Sequence, residues 1–295
     1  MNQMWKASLA GLLGYSIFGF SFLFSKIALD LVSPGVLLSV RFLVAFGVMN
    51  LLLLTGKQRI SLKGKPVGML LLLGFAQPVL YFLFEAHGIS MTSASFSGVM
   101  IGLAPVVGLV FGVLFLKERC TAFQALCTVL SVVGVAMTTT GGFGTVSVKG
   151  FFLLLGAVVS AALFAILSRK TASHFSPFER TYVMFAVGSI VFVLLALVQC
   201  AGNYDTLIIP VIRNPEFWTC MIYLSVCSSV IAFMILNFAS SVLTVGEAAL
   251  FANLTTVISI IAGVLILKES FTIQQIIGAG MIVGSVYLAN KNNAE

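Results

Sequence analysis

Residues 112–124 read GVLFLKERCTAFQ, and residues 263–275 read GVLILKESFTIQQ. Eight of these thirteen positions agree, among them Gly112 with Gly263, Leu116-Lys117-Glu118 with Leu267-Lys268-Glu269, Thr121 with Thr272 and Gln124 with Gln275. Each stretch closes an apolar run, passes a Lys-Glu turn and opens the next run with Thr-x-x-Gln, the spacing of a capping box at a helix start. A tight interhelical turn would explain polarity at this point. A whole shared pattern is more specific and reads as internal duplication. A weaker echo pairs Ser33-Pro34 with Ser176-Pro177, each opening an apolar span.

The runs around these turns decide the solvent. The 295-residue chain is 60% hydrophobic and 8% charged, whereas a soluble domain carries roughly 25% charged residues. It lacks the polar residues to coat a surface facing water. In a bilayer an apolar exterior is required, and backbone polar groups are satisfied inside helices or closed barrels. The runs are continuous and about twenty residues long, as spanning helices need, unlike the alternating ten-residue segments of a barrel. Ten spans are predicted, at 7–30, 34–55, 67–86, 94–116, 122–139, 149–170, 179–200, 216–239, 245–267 and 273–290.

The duplication then divides the chain into two five-span repeats, 1–140 and 141–295. Five is odd, so the second repeat must cross the membrane in the opposite sense to the first. The predicted fold is an all-α integral membrane protein of ten transmembrane helices in two inverted repeats, a recurring transporter design with its site near the midplane.

Basic residues orient the chain. With the N-terminus inside, the inner segments hold Lys6, Lys57, Arg59, Lys63, Lys65, Lys117, Arg119, Arg169, Lys170, Arg180 and Lys291, while the outer loops hold Lys149, Arg213 and Lys268. This asymmetry predicts a multi-pass protein with both termini cytoplasmic. It also accounts for the +7 formal charge without a nucleic-acid partner. The five cysteines show no metal-ligand spacing and read as small apolar fillers. Lys6 precedes a long apolar run without an evident cleavage site, so the first span is expected to be retained.

Ionisable residues within spans are costly in hydrocarbon and face an interior or water by default. Lys26, Arg41, Glu85 and Glu247 are of this kind. In the third span Gln77, Tyr81 and Glu85 recur at i, i+4 and i+8, one helical face. That stripe suits an amphiphilic cation or an amino-acid ammonium; alternatively its members satisfy neighbouring side chains. Pro78 beside it would loosen the helix. Lys26 and Arg41 could pair with Glu85 or Asp30 as an outer gate, or Lys26 could snorkel to headgroups; Arg41 lies too deep for that. Glu247 opens the ninth span, either as a helix-dipole partner or as an inner recruitment or proton-linked carboxylate. Asn237 and Asn253 read as polar contacts or interhelical glue. Phe18 and Phe22 share the Lys26 face, and Phe251 lies one turn beyond Glu247.

No HExxH, GxSxG or Gly-Lys-Ser/Thr loop occurs, so neither an intramembrane enzyme nor ATP-driven pumping is expected, and no cofactor or metal.

The ten spans, the two halves and the Leu-Lys-Glu-x-x-Thr turns resemble the drug/metabolite transporter superfamily, specifically its EamA-type exporters. The first span (Gly14 to Ala28), the Ser-Pro then Arg41 of the second, and Ala104-Pro105 of the fourth are similar to that pattern over essentially the whole chain. Thr256 stands where the second repeat of the pattern often has the proline matching Pro105. The resemblance implies plasma-membrane export of a small metabolite, amino acids foremost, by alternating access through a cavity lined by the first, third, fourth, sixth, eighth and ninth helices. Met100 of the fourth helix joins the lining candidates on that ground. Arg41 is implied to tie the first bundle together, with Pro78 and Pro105 at points of bending. The fifth and tenth helices are implied to sit peripherally, near a homodimer contact. Relatives that move lipid-linked headgroups keep a lipid or lipophilic-drug flippase as the alternative.

Overall fold

The computed structural model describes residues 3–56, 58–116, 121–140, 147–199, 201, 213–243, 245–270 and 272–291. Among the described residues the fold is helical throughout, without strands. The helices are α1 (Gln3–Leu31), α2 (Pro34–Leu54), α3 (Val67–Gly74), α4 (Tyr81–Ser90), α5 (Ala94–Ile101), α6 (Ala104–Leu116), α7 (Ala122–Thr140), α8 (Val148–Ala172), α9 (Pro177–Gln199), α10 (Pro215–Ile222), α11 (Ala232–Val242), α12 (Val245–Leu265) and α13 (Ile273–Lys291). A π-helical segment, Phe75–Leu80, joins α3 to α4, and a second, Tyr223–Ile231, joins α10 to α11.

Six continuous stretches are long and apolar enough to cross a membrane: Gln3–Leu31, Pro34–Leu54, Val67–Ser90, Val148–Ala172, Pro177–Gln199 and Pro215–Val242. Shorter apolar helices lie at Ala94–Gly108, Ala125–Thr138, Leu254–Leu265 and Ile273–Ser285. The chain is thus a multi-pass membrane protein. Its outer surface agrees, because Leu54, Val148, Val198, Leu265 and Ile273 are each about 70% exposed or more. In lipid such side chains need no cover.

Local chemistry sets the helix ends. Pro34 begins α2 where its missing N–H costs nothing. The Ser93 hydroxyl accepts from Phe96 N, and Asn214 Oδ1 accepts from Glu216 N. The expected capping box forms at α13: Thr272 N donates to Gln275 Oε1 at 2.8 Å, and Gln275 N to Thr272 Oγ1 at 3.4 Å. The side chain of Gln124 in the matching box lies outside the described residues. Between α5 and α6 the helix breaks at Gly102 and Leu103, just before Pro105, which has no N–H to offer the Ile101 carbonyl. Thr256 leaves that bond intact, and α12 runs unbroken.

Packing is reciprocal. α7 lies on α13, α2 on α9, and α5 on α12; α1 packs against α11 and α12, while α8 packs against α4, α5 and α6. The α7–α13 pair is the tightest in backbone approach: a Cβ on Gly134 would meet the Gly278 carbonyl, and one on Gly278 would meet that of Gly134. Ser131 and Ser285 share a hydrogen bond of 2.6 Å beside it. The main core is aromatic, with Phe42, Phe82, Phe185, Phe192, Phe217 and Phe233 all buried.

Candidate substrate site

The site forms where the two π segments interrupt their spans. A π turn admits an extra residue and leaves backbone groups out of register, a feature enriched at functional positions. In the first segment Pro78 lacks an N–H, and Gln77 adopts φ −149° and ψ 118°, outside the helical region. The Gln77–Pro78 bond is cis. The regular i, i+4, i+8 stripe expected from the sequence is therefore broken: Tyr81 and Glu85 share a face, whereas Gln77 is turned out of the helical phase.

Arg41 is 1% exposed. Its Nε donates to Ser229 Oγ at 3.0 Å and its Nη2 to Ser228 Oγ at 3.1 Å, both on the second π segment. The guanidinium lies 4.2 Å from the Phe82 ring centroid and 5.7 Å from that of Phe42, a cation–π arrangement in a dry setting. Glu85, 3% exposed, accepts the Tyr81 hydroxyl on Oε1 at 2.8 Å. Its other oxygen takes no hydrogen bond among the described residues. Arg41 and Glu85 form no direct ion pair; the ion pairs among the described residues are Lys26–Asp30 and Lys65–Glu179. Ser225 Oγ, one turn before the Ser228-Ser229 clasp, is buried without a partner.

An aromatic cluster walls this site. Phe233 is its hub, with ring centroids 5.2 Å from Phe18, 6.1 Å from Phe82, 5.5 Å from Phe185 and 6.1 Å from Phe164. Tyr223 stacks on Phe24 at 4.2 Å and donates its hydroxyl to the Ile17 carbonyl.

Of the residues singled out in the sequence, Phe18, Arg41, Tyr81 and Glu85 meet here, with Gln77 and Pro78 forming the break. Others lie elsewhere. Lys26 pairs with Asp30 at 3.5 Å, one turn along α1, and makes no ion pair with Glu85. Phe22 packs with Ile89 and Ala94, Met100 with Phe96, Val135, Leu154 and Val158, and Phe251 with Ala7, Ala10, Ala239 and Leu243. The side chains of Glu247 and Asn253 lie outside the described residues. Asn237 is interhelical glue: it donates Nδ2 to Thr181 and accepts Ser168 on Oδ1.

Asn237 also borders a second polar centre. Arg180, fully buried, donates Nη1 to Ser168 O, Ser168 Oγ and Ser240 Oγ, and Nη2 to Asn237 O and Ser241 Oγ. A cation thus sits between the C-terminal turns of α8 and α11, where the helix dipoles favour it. Next to it, Glu179 accepts from Ser61 N, Ser176 N and Lys65 Nζ, each at 2.9–3.0 Å. A cavity of about 320 Å³ lined by Arg169, Ser173, Ser240 and Ser241 opens beside this centre. Among the described residues no three His, Cys, Asp or Glu side chains are grouped to hold a metal ion.

Sequence reasoning missed Ser225, Ser228, Ser229, Phe82, Phe233 and the burial of Arg180. A signal existed. The repeat offset of 151, set by Gly112 and Gly263, carries Phe75–Leu80 onto residues 226–231 and Phe82 onto Phe233.

Comparison with known proteins accords with this architecture. The profile of the EamA-like transporter family matches the chain twice, at residues 5–140 and 148–291. The chain is 34% identical to the uncharacterized transporter YcxC of Bacillus subtilis (strain 168), over 99% of this chain and 95% of that protein. It is 28% identical to the uncharacterized transporter YvbV of the same organism, over 98% and 94%. An uncharacterized transporter of Archaeoglobus fulgidus is 22% identical over 92% and 94%. A solved crystal structure covering 96% of both chains superposes with a TM-score of 0.69 at 18% identity, which bears on the fold alone. The chain belongs to the EamA-like transporter family, within the drug/metabolite transporter superfamily.

Proposed function

We propose that the protein is a secondary transporter that exports small metabolites, amino acids foremost, across the plasma membrane by alternating access. In this reading ten spans form two inverted five-span repeats, 1–140 and 141–295, with both termini cytoplasmic. The observation that carries it is the meeting of repeat mates at the centre. Phe82 and Phe233, related by the 151-residue offset, face each other at 6.1 Å. Phe42 and Phe185, each nine residues after the serine of its Ser-Pro opening, meet at 5.6 Å. Both third spans carry a π segment, and each packing partnership recurs when a helix is exchanged for its counterpart. The double family match supports the same division.

Two similar bundles in opposite orientation can exchange roles, so that one central site opens to each side in turn. The charged groups beside the π segments supply polar contacts at that site, and the aromatic cluster supplies its apolar wall. Either a proton gradient or the solute's own gradient would drive export.

The test is efflux from proteoliposomes of a mixed amino-acid and metabolite pool, with and without an imposed pH gradient. Protein-dependent loss of particular solutes is expected. Retention of every solute by well-inserted protein would sink this reading and favour the lipid-flippase alternative.

A further inference from the structure

We propose that the cavity between the ends of α8 and α11 binds a phosphate ester, with the headgroup of an anionic phospholipid as the source its position favours. The assignment rests on the membrane placement of the chain and is independent of the solute carried.

The cavity holds about 320 Å³, bordered by Arg169 and Ser173 at the α8 end and by Ser240, Ser241, Val242 and Leu243 at the α11 end. Among the described residues no carboxylate lines it. Arg169 is exposed and forms no ion pair among them. Behind the two serines of α11 lies Arg180, which donates to Ser240 Oγ at 3.3 Å and to Ser241 Oγ at 2.7 Å. It has no carboxylate partner either. Glu179, its neighbour in the chain, is taken up by Lys65 and by the Ser61 and Ser176 amides. The two helix ends lend Arg180 partial negative charge, yet its Nε is buried without a partner. Arg169 then brings a second guanidinium to the same place, with nothing acidic to balance it. The cavity is electropositive.

The hydroxyls supply a further donor. Three groups converge on the Asn237 carbonyl: Arg180 Nη2, Ser240 Oγ at 3.0 Å and Ser241 Oγ at 2.8 Å. A carbonyl oxygen has two lone pairs, and a hydroxyl hydrogen rotates to suit its surroundings. One serine hydroxyl is therefore surplus at Asn237, and the cavity beside both serines is where it can donate instead. The guanidinium of Arg169 and a serine O–H border one space. Paired N–H donors with hydroxyl support are the means by which arginine sites hold phosphate oxygens.

Size and place narrow the ligand. A water takes about 30 Å³ in the liquid, so the cavity has room for about ten. That is far more than a carboxylate fills, and it fits a phosphate carrying a glycerol unit. The cavity lies at the ends of Val148–Ala172 and Pro215–Val242, two stretches long and apolar enough to cross a membrane. Headgroups lie at that level. Val242 and Leu243 give the cavity an apolar side, as a headgroup joined to acyl chains requires. Lys170, exposed on the next position of α8, adds attraction to an anionic leaflet.

The experiment follows thermal unfolding of the full chain in a neutral detergent. Dihexanoyl-phosphatidylglycerol, dihexanoyl-phosphatidylcholine, glycerophosphate or glycerol is added. Phosphatidylglycerol at about ten times its Kd should raise the Tm by about 3 °C or more, and glycerol by less than about 1 °C. Arg169→Gln should melt like wild type without ligand and lose at least about two-thirds of the rise. Lys170→Gln removes the same charge next door, outside the cavity lining, and should keep it. Should Arg169→Gln melt early by itself, Ser173→Leu puts bulk into the cavity and should likewise abolish the rise. A rise with glycerophosphate but not with phosphatidylglycerol, lost in Arg169→Gln, would keep the phosphate site and overturn the lipid as its source. No rise with either phosphate compound would overturn the site. So would equal losses in Arg169→Gln and Lys170→Gln, or equal rises with both lipids that neither Arg169→Gln nor Ser173→Leu reduces.

Discussion

Glu269 caps Ala94 across 175 residues of chain: its Oε1 accepts the Ala94 backbone N–H at 2.8 Å, and its Oε2 accepts that of Ser95 at 3.0 Å. The Lys-Glu turn that the sequence marks as a simple polar reversal is therefore also a tertiary contact. A carboxylate at a helix start meets free N–H donors and the positive end of the dipole. It binds the loop after α12 to the first turn of α5, reinforcing the packing between those helices.

Replacing Glu269 with Gln removes the charge and presents an NH2 group to one of the two donors. The expected loss is about 1–2 kcal/mol. That corresponds to a melting temperature in detergent lower by about 2–6 °C. An unchanged melting curve would show that the contact adds nothing.

Gly263 gives that carboxylate its room, since an added Cβ would run into both Ser95 Oγ and the Glu269 carboxylate. Gly263→Ala should reproduce most of the Glu269→Gln loss. Combined with Glu269→Gln it should add little further, because both changes disturb one contact. Full additivity in a double-mutant cycle would refute the shared origin.

Gly98 lies against Ser259 where α5 crosses α12, and Thr256 Oγ1 donates to the Gly98 carbonyl at 3.0 Å. Gly98→Ala drives a methyl into the Ser259 side chain and should destabilise the protein by about 1–3 kcal/mol. Adding Ser259→Gly should recover at least half of that loss. Failure of the second change to rescue would place the damage elsewhere.

Arg180→Met leaves the Ser168 and Asn237 carbonyls without their cationic donor between two helix ends. A loss of about 2–3 kcal/mol should appear as reduced yield of monodisperse protein and earlier thermal unfolding. A variant that melts like wild type would remove the stapling role.

Glu179 and Lys65 should respond unequally. The Lys65 side chain is 30% exposed and that of Glu179 5%, so the ion pair itself is worth at most about 1 kcal/mol. The two backbone N–H groups held by Glu179 persist without the lysine. Glu179→Gln should therefore destabilise more than Lys65→Met in parallel melts; the reverse order would contradict this assignment.

The helices were legible because lipid rewards one simple pattern, and the edges drawn from apolar runs fall close to those of the described helices, six stretches of which are long and apolar enough to cross a membrane. The break before Pro105 followed from its missing N–H, and the straightness of α12 from Thr256. The site was legible only in part. Tyr81 and Glu85 meet because four-residue spacing is local to one helix. Lys26 found Asp30 by the same local rule, which the sequence allowed but did not choose over Glu85. Ser228 and Ser229 escaped notice because their partner lies 187–188 residues away, and serine in an apolar span usually bonds its own helix. Arg180 was counted with the inner loops, since charge alone does not reveal that two helix ends close over it. Glycines at four-residue spacing differ in role: a Cβ on Gly98 or Gly102 would meet Ser259 or Thr256, while one on Gly280 or Gly284 would meet nothing within 4 Å.

The π segment at Phe75–Leu80 fixes an angular phase as well as a break. An α-helix turns by about 100° per residue, so one residue more or fewer inside that segment would rotate all of α4 by that amount. Tyr81 and Glu85 would swing away from Arg41 together, with no change to either side chain. A single-residue deletion there would be a mutation of direction, altering what the site faces while leaving its chemistry intact.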